Sequence, residues 1–380
     1  MKKKIGFMAH YDRNLFHFRL PIMKKLINDG YEVYAISPEG EFTALIEKQG
    51  VTTINYSLDR GSLNPYNEVK SIFGIYKILK QLDLDLLHTF GAKSNIYGTI
   101  AGKLAGIPRL LNLVEGLGSF YTSDSFTKII VRKIIQSLYK ITFSISNGCV
   151  FVNSDDPDFM IKKKIINPKK VFIIKSVGVD VNKFDLNLYS FDKINKLKKF
   201  YGVSDKLTIL MIARIIRDKG ILEYLDAAFV LKQKYNFIDF VLVGDEDQGN
   251  PSNLGGKLDA SNIIHLGYTK NIVDLFAISD IVVLPSYREG LPVTLMEAAS
   301  MKKPIVTTTA VGCRDVVEEG KNGFKVPVKN SKELADKIEI LVKNQELREK
   351  FGLYSREKVV KEFALERVVA KYSNLYKSLI

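Results

Sequence analysis

The sequence predicts an α/β protein of two doubly wound domains, each a parallel sheet with helices on both faces. Its 380 residues exceed what one hydrophobic core usually organises, so two domains are expected. Short β-branched runs alternate with longer helical patterns, which is typical of βαβ units. Because this alternation restarts halfway along the chain, we predict one such sheet in each half.

The elements follow in order along the chain, with amphipathic segments such as 20–29 and 93–104 predicted as helices between the strands. In the first half the predicted strands are Lys4–Met8, Glu32–Ile36, Leu84–His88, Arg109–Val114 and Gly148–Asn153. In the second half they are Lys170–Lys175, Thr208–Ala213, Asp239–Gly244, Asn262–Gly267, Asp280–Pro285 and Pro304–Thr307. We therefore predict a first domain over residues 1–168, a second over 169–361, and a C-terminal helix over 362–380 that returns to the first.

Composition narrows the class of protein. Hydrophobic residues make up 46% and charged residues 26%, which excludes a disordered or fibrous chain. The two cysteines, Cys149 and Cys313, lie far apart, so a reducing compartment fits best. A net charge of +14 favours a polyanionic partner, whether nucleic acid, an anionic membrane surface or phosphorylated substrates. Because no run approaches the ~20 apolar residues of a spanning helix, any membrane contact is expected to be peripheral.

One segment of the second half predicts a ligand site, and it reads Pro285-Ser-Tyr-Arg-Glu-Gly-Leu-Pro-Val-Thr-Leu-Met-Glu297. Gly290 lets a ligand approach the backbone, and Pro292 suits the start of a helix, whose free N–H groups can hold phosphate. Glu297 then lies about one turn into the helix, where it can accept both hydroxyls of a ribose. Glu289 on the loop would face the sugar side. The alternative is a solvated loop acid and a helix-face acid.

A second segment supports this site. Arg214 follows the predicted strand 208–213, and Lys219 lies near the start of the next helical pattern. An arginine fork and a lysine point charge can together hold both phosphates of a departing nucleoside diphosphate. The alternative is that they are two solvated cations among 56.

These motifs together resemble glycosyltransferase family 4. The glutamate pair with seven residues between, the Arg214/Lys219 pair, the Gly178-Val-Asp180 turn before Phe184, and Gly267 before Val273-Asp274 carry the resemblance. It implies a GT-B fold, in which two Rossmann-like domains face a central cleft. It also implies retention at the anomeric carbon, no required metal or other cofactor, and nucleobase contacts from residues 268–272. The predicted donor-binding residues are Arg214, Lys219, Tyr268, Ile272, Glu289, Gly290, Leu291, Pro292, Val293, Thr294 and Glu297.

The N-terminal half resembles, within that family, the N-acetylgalactosaminyltransferases of bacterial lipid-linked glycan assembly for protein N-glycosylation. His17-Phe-Arg19-x-Pro21, Lys93-Ser-Asn95, Val114–Tyr121 and Ile174–Gly178 carry that likeness. It implies transfer of N-acetylgalactosamine from UDP, in α1,3 linkage, onto polyprenyl-diphosphate-linked diacetylbacillosamine. The predicted acceptor-binding residues are Asn14, His17, Arg19, Lys93 and Gly116, and the predicted catalytic residues are Glu115, Arg214, Lys219 and Glu289.

Glu115 stands where many relatives have a histidine. Its carboxylate could orient the acceptor hydroxyl or stabilise positive charge at the sugar carbon, or it could be a structural acid that binds the backbone of residues 116–119. The loop Asp245-Glu-Asp247 is predicted to be a solvated turn, and no metal-ligand spacing links the four histidines.

The segment 126–143 predicts an amphipathic basic helix. An apolar stripe gathers Phe126, Ile130, Ile134, Leu138 and Ile141, with Lys128, Arg132 and Lys133 on the other side as predicted membrane contacts. An ordinary helix packed on the sheet is the alternative. Since a polyprenyl acceptor stays in the bilayer, we expect a cytoplasmic protein, peripheral on the inner membrane and attracted to its anionic surface.

Three other functions remain open at this stage. The chain could be another family 4 hexosyltransferase of capsule or O-antigen assembly, or a UDP-sugar 2-epimerase, which would release an epimer without an acceptor. A nucleic-acid-binding protein would explain the net charge, but the basic residues are scattered and lack interleaved aromatics. We therefore expect no nucleic-acid partner.

Overall fold

The structure is a computed structural model that describes residues 2–57, 65–118, 121, 126–175, 177–203, 206–250, 252–256 and 258–380. The chain forms two compact units. The first comprises Met1–Phe120, Asp124–Val177 and Glu366–Ile380, and the second comprises Tyr121–Ser123 and Gly178–Leu365. Each unit is built around one parallel sheet, so the predicted fold class is confirmed.

The first unit contains a seven-stranded parallel sheet. Its strands are β1 Lys4–Ala9, β2 Glu32–Ser37, β3 Thr52–Asn55, β4 Leu86–Phe90, β5 Arg109–Val114, β6 Gly148–Phe151 and β7 Val171–Ile173. They lie in the order β3-β2-β1-β4-β5-β6-β7. The order reverses between β1 and β4, and the carboxyl ends of strands at such a point are where open α/β sheets bind ligands.

Two strands of this sheet differ from prediction. The strand predicted at Lys170–Lys175 to open the second sheet pairs instead with β6, through Cys149 and Val171 among others. The prediction of a second-domain strand here was wrong, because an edge strand of three residues carries no signal for the sheet it joins. β3 was not predicted, since its short run Thr52–Asn55 has no apolar majority.

The helices of the first unit alternate with these strands. They are α1 Asp12–Asn14, α2 Leu20–Asn28, α3 Thr43–Glu47, α4 Pro65–Leu82, α5 Ala92–Ala105, α6 Phe126–Ile145 and α7 Asp155–Lys162. Between α1 and α2, Leu15–Arg19 forms a π-helical turn. Pro21 has no N–H, and its ring would collide with the carbonyl of His17 in a regular helix, so the chain widens at this point.

The last helix of the chain completes the core of the first unit. It spans Leu365–Leu379, and Tyr372 and Tyr376 on it are fully buried. The Tyr376 hydroxyl lies 2.7 Å from Nδ1 of His88 in β4, and its ring packs edge-on against Phe7 in β1. This helix, α15, therefore covers the centre of the first sheet.

The second unit contains a six-stranded parallel sheet in the order β10-β9-β8-β11-β12-β13. Its strands are β8 Leu207–Ile212, β9 Ile238–Val243, β10 Ile264–His265, β11 Ile281–Leu284, β12 Ile305–Thr308 and β13 Gly323–Val326. Its helices are α8 Phe191–Phe200, α9 Ile221–Lys234, α10 Ile272–Ile278, α11 Val293–Ser300, α12 Cys313–Val316, α13 Ser331–Lys343 and α14 Gln345–Glu362. β13 was not predicted from the sequence.

No helix in the described ranges combines the length and apolarity needed to cross a membrane.

Candidate active site

A buried lysine–glutamate pair lies at the carboxyl end of the second sheet. Lys219 Nζ lies 2.5 Å from Oε1 of Glu289, and both side chains are largely buried. Ser286 donates from its hydroxyl to the same Glu289 oxygen at 2.7 Å. The two residues are predicted catalytic residues that are 70 positions apart, and the fold brings them into contact.

Two glycines explain why the loops that carry this pair can meet. A Cβ on Gly220, where φ is +76°, would lie 2.2 Å from the carbonyl oxygen of Pro285. A Cβ on Gly312, where φ is +80°, would lie 2.8 Å from the carbonyl oxygen of Glu289. The backbone of Glu289 also donates to Val311 O at 3.0 Å. Any side chain at either glycine would therefore displace the ion pair.

The helix predicted to follow Gly290 is α11, and its N-cap is Pro292. The first intrahelical hydrogen bond is donated by Leu295 to Pro292 O at 3.2 Å, so the N–H groups of Val293 and Thr294 precede the helical ladder. Buried next to them, Leu291 anchors the turn. This geometry can hold an anion at the positive end of the helix dipole.

Glu297 lies on the first turns of α11 and is half-buried. Burial raises the pKa of its carboxyl to about 7, and the charge of Lys183 opposes that rise in part. Ionising a carboxyl in such a place costs free energy unless a cation or a hydrogen-bond donor meets it. Perturbed carboxyls of this kind are typical of ligand sites.

Arg214 lies at the end of β8 as predicted, but its partner was not predicted. Its Nη1 lies 2.5 Å from Oδ2 of Asp247, and the arginine side chain is 59% exposed. The rest of the acidic loop serves the fold: Asp245 accepts from the Tyr268 N–H at 3.1 Å, and Glu246 accepts from the Gly256 N–H at 2.9 Å. The loop is therefore a hydrogen-bonded turn.

The residues predicted to contact a nucleobase lie beside this acidic loop. Tyr268 is 56% exposed, and Ile272 is the first residue of α10 and is half-buried. In the described part of the chain, no three histidine, cysteine or acidic side chains come together as a metal site would require.

Glu115 lies at the carboxyl end of β5 in the first unit, and its side chain is 36% exposed. One carboxylate oxygen accepts from Arg19 Nη2, and the other accepts from Asn14 Nδ2 at 3.3 Å. Arg19 has no accessible surface, and Asn14 is 3% exposed. Arg19 and Asn14 were predicted to contact the acceptor; in the structure both are buried and donate to Glu115, and their contact with an acceptor stays a prediction.

The other predicted acceptor residues are more accessible. His17 is exposed, with its ring 4.8 Å from that of Phe42. Lys93 at the start of α5 pairs with Glu68 at 3.2 Å. Gly116 follows Glu115 with φ of +143°, a conformation that favours glycine. Their role with an acceptor stays a prediction.

Sequence reasoning missed the residues that hold the site together. Ser286, Gly220, Gly312 and Asp247 each contact or position a predicted residue. Glycines next to strand ends were a usable signal for close backbone approach, whereas the partners of Glu289 and Arg214 depend on distant loops that no local pattern links.

Two parallel-sheet units, the second with a helix start, a lysine–carboxylate pair and an arginine at its strand ends, are the architecture of a glycosyltransferase of the GT-B class. Residues 4–148 match the family model described as glycosyl transferase 4-like, and residues 193–358 match that of glycosyl transferases group 1. The chain belongs to glycosyltransferase family 4.

Curated relatives agree with that assignment. The chain is 38% identical, over 91% of its length and 91% of the relative, to the N,N'-diacetylbacillosaminyl-diphospho-undecaprenol α-1,3-N-acetylgalactosaminyltransferase of Campylobacter jejuni. It is 25% identical, over 82% of its length and 80% of the relative, to the UDP-Gal:α-D-GlcNAc-diphosphoundecaprenol α-1,3-galactosyltransferase of Escherichia coli.

Solved structures share the fold. A glycosyltransferase of Rickettsia africae superposes with a TM-score of 0.82 at 22% identity, covering 100% of this chain and 98% of the other. HepE of Anabaena, solved with UDP and glucose, superposes with a TM-score of 0.80 at 19% identity over the full length of both chains.

Replacing Glu297 by glutamine is expected to stabilise the protein at pH 8 more than at pH 5. The native carboxyl has a pKa of about 7 and the ordinary value is 4.5, so the wild type loses stability as pH rises through that window. Glutamine carries no charge and escapes this loss. In thermal denaturation, the Tm of the Glu297→Gln variant minus that of wild type should be a few degrees larger at pH 8 than at pH 5. A change of 1 kcal/mol shifts the Tm of a unit of this size by about 2–4 °C.

The control is Glu357→Gln on α14, where the side chain is exposed. It should give no pH-dependent difference in Tm. An advantage for Glu297→Gln that is equal at both pH values would contradict the raised pKa.

Proposed function

We propose that the protein transfers N-acetylgalactosamine from UDP, with retention and in α1,3 linkage, onto polyprenyl-diphosphate-linked diacetylbacillosamine. The observation that carries a nucleotide-sugar donor is the Lys219–Glu289 pair beside the start of α11, with Glu297 one turn further on. The named activity of the Campylobacter jejuni relative supports the choice of donor sugar and acceptor.

The donor subsite uses the second unit. The N–H groups at the start of α11 bind the diphosphate, and Lys219 and Arg214 neutralise its charge. Glu297 accepts the two ribose hydroxyls, while Tyr268 and Ile272 contact the base. Glu289 faces the sugar, and Gly290 lets the phosphates approach the backbone. No metal is needed, because side-chain cations and helix N–H groups provide the positive charge.

The transfer proceeds on one face of the sugar. The acceptor hydroxyl oxygen bonds to the anomeric carbon as the bond from that carbon to the β-phosphate oxygen breaks. The departing oxygen takes the hydroxyl proton, so no protein base is required. Lys219 and Arg214 then stabilise the charge that develops on UDP, which is where preorganised electrostatics contribute most. Glu115 orients the acceptor hydroxyl.

The test is a donor and acceptor matrix scored by UDP release. UDP-N-acetylgalactosamine should be consumed only with a diacetylbacillosamine-bearing prenyl diphosphate, and the product should carry an α1,3 bond by NMR. Release of a free sugar epimer without acceptor would contradict the proposal. In parallel, Glu297→Gln should weaken the binding of UDP, measured by calorimetry, by about 1.5–3 kcal/mol, because a charge-assisted hydrogen bond contributes that much.

Lys219→Ala and Arg214→Ala should each lower kcat by about 10²–10³-fold while the donor KM changes little, because their contacts strengthen as UDP departs. The matched control is Lys234→Ala, which breaks a lysine–glutamate pair on the surface of the same unit. Steady-state rates at saturating acceptor measure both constants. A change confined to KM would show that the two cations bind UDP only in the ground state.

We further propose that the protein works at the cytoplasmic face of the inner membrane, attached through α6. The apolar stripe of this helix is not in the core: Phe126, Ile130, Ile134, Leu138 and Ile141 are between 36% and 76% exposed. The opposite side packs on the sheet through Tyr139 and Phe143, which are buried. An exposed apolar stripe of this length is typical of an interfacial helix.

The basic residues suit an anionic surface. Lys133 and Lys140 are exposed and, at about 100° per residue, lie beside the apolar stripe. The predicted contact Arg132 is half-buried, and the side chain of Lys128 lies outside the described residues. Beyond the C-terminus of α6, exposed lysines continue at Lys162, Lys163, Lys164 and Lys169. Each lysine near such a surface contributes about 1 kcal/mol.

Two double variants test this attachment. Ile130→Ser with Ile134→Ser removes apolar contact, and Lys133→Glu with Lys140→Glu reverses charge. Each should weaken binding to phosphatidylglycerol vesicles at least about tenfold and reduce activity on a long-chain acceptor, but spare a water-soluble short-chain acceptor. Leu104→Ser on α5, which also replaces an exposed apolar side chain, is the control. Unchanged vesicle binding in both doubles would place the attachment elsewhere.

A further inference from the structure

Arg19 is among the largest fully buried side chains of the described residues, and it carries a permanent charge. Its guanidinium pairs with Glu115 and lies 4.5 Å over the centre of the Phe90 ring. Glu115 is the member of this pair that reaches the surface, with 36% of its side chain exposed. The buried cation therefore stands directly behind a partly exposed carboxylate.

The contacts around Arg19 do not suffice to explain its burial as a contribution to the stability of the fold. Its Nε and Nη1 groups have no hydrogen-bond acceptor among the described residues, although both are buried. Apart from Glu115, two titratable groups interact with its charge: burial, with help from Arg19, lowers the pKa of His88, and burial raises that of Tyr372 to about 12. A side chain retained for its own hydrogen bonds would use these donors.

The π turn explains how two residues reach one carboxylate. Asn14 and Arg19 are five positions apart, and residues at that spacing lie about 140° apart around a regular α-helix. In a π turn, whose hydrogen bonds run from i to i+5, they come one above the other. Both side chains therefore donate to Glu115, one to each oxygen. π turns are frequent at functional sites.

We propose that Arg19 is a positioning residue that holds the Glu115 carboxylate in the orientation needed to accept a hydrogen bond from the acceptor hydroxyl. This inference rests on the proposed role of Glu115. Asn14 fixes the second oxygen, so the carboxylate has one orientation. Without Arg19, the partly exposed Glu115 turns toward solvent and no longer meets the hydroxyl.

The experiment compares Arg19→Met, Arg19→Lys, Glu115→Gln and the double variant Arg19→Met with Glu115→Gln. Each is measured for kcat, acceptor KM, UDP affinity by calorimetry, and Tm. A loss of orientation of this size is expected to lower kcat by about 100-fold in Arg19→Met, while UDP affinity stays within about threefold of wild type. Arg19→Lys should recover part of kcat, since it restores the charge without the planar fork.

The double variant separates positioning from direct action. If Arg19 acts only through Glu115, then Arg19→Met should cause no further loss of kcat in the Glu115→Gln background. A merely structural Arg19 would lower Tm and leave kcat per folded enzyme unchanged. Should Arg19→Met not fold, Arg19→Lys and the double variant, which removes both charges, provide the same comparison.

The outcomes separate the two proposals. If Glu115→Gln is impaired but folded Arg19→Met or Arg19→Lys keeps wild-type kcat, the positioning role is overturned and the role of Glu115 stands. If Glu115→Gln keeps near-normal kcat, the proposed role of Glu115 fails, and this inference with it. Losses that multiply in the double variant would also overturn positioning, because Arg19 would then act independently of Glu115.

Discussion

The close backbone contact between Gly220 and Pro285 is the constraint on which the candidate site of the second unit depends. With 2.2 Å between a hypothetical Cβ and the Pro285 carbonyl oxygen, only glycine lets the turn after β8 rest on the end of β11. The Tyr287 N–H then donates to Asp218 O at 2.9 Å, and Lys219 meets Glu289. The geometry at the strand ends thus brings the two charged side chains together, because it fixes the two loops that carry them.

The two units present their polar groups differently. In the second unit, a charged pair, a strand-end arginine and a helix start lie along the carboxyl ends of neighbouring strands, which suits a ligand with two phosphates. In the first unit, one carboxylate is held from behind by buried donors. A nucleotide-sugar donor carries charge on several phosphate oxygens, which must be neutralised. An acceptor hydroxyl needs one hydrogen-bond partner in the correct orientation. The second unit thus places two cations at its strand ends, and the first holds one carboxylate through two buried donors.

Much of this could be predicted from sequence, and the failures have physical causes. Strands such as Arg109–Val114 and the helix after Pro292 were predictable because apolar periodicity and punctuation by glycine and proline are local. β7 was placed in the wrong sheet, since the pairing of a three-residue edge strand depends on its neighbour alone. The burial of Arg19 could not be predicted, because a π turn has no repeating sequence pattern and Pro21 is its only local mark. An arginine is also expected at the surface from its residue type alone.

The chain places its final helix in its first unit, and this has a consequence for the order of folding. Residues 366–380 supply Tyr372 and Tyr376 to the core that β1 and β4 begin. A ribosome releases the first sheet early, but it makes the side chains that cover the centre of that sheet only after the second unit. The N-terminal unit must therefore wait, with part of its apolar face open, until the whole second unit has been synthesised. The unit whose synthesis begins first therefore completes its core after the other.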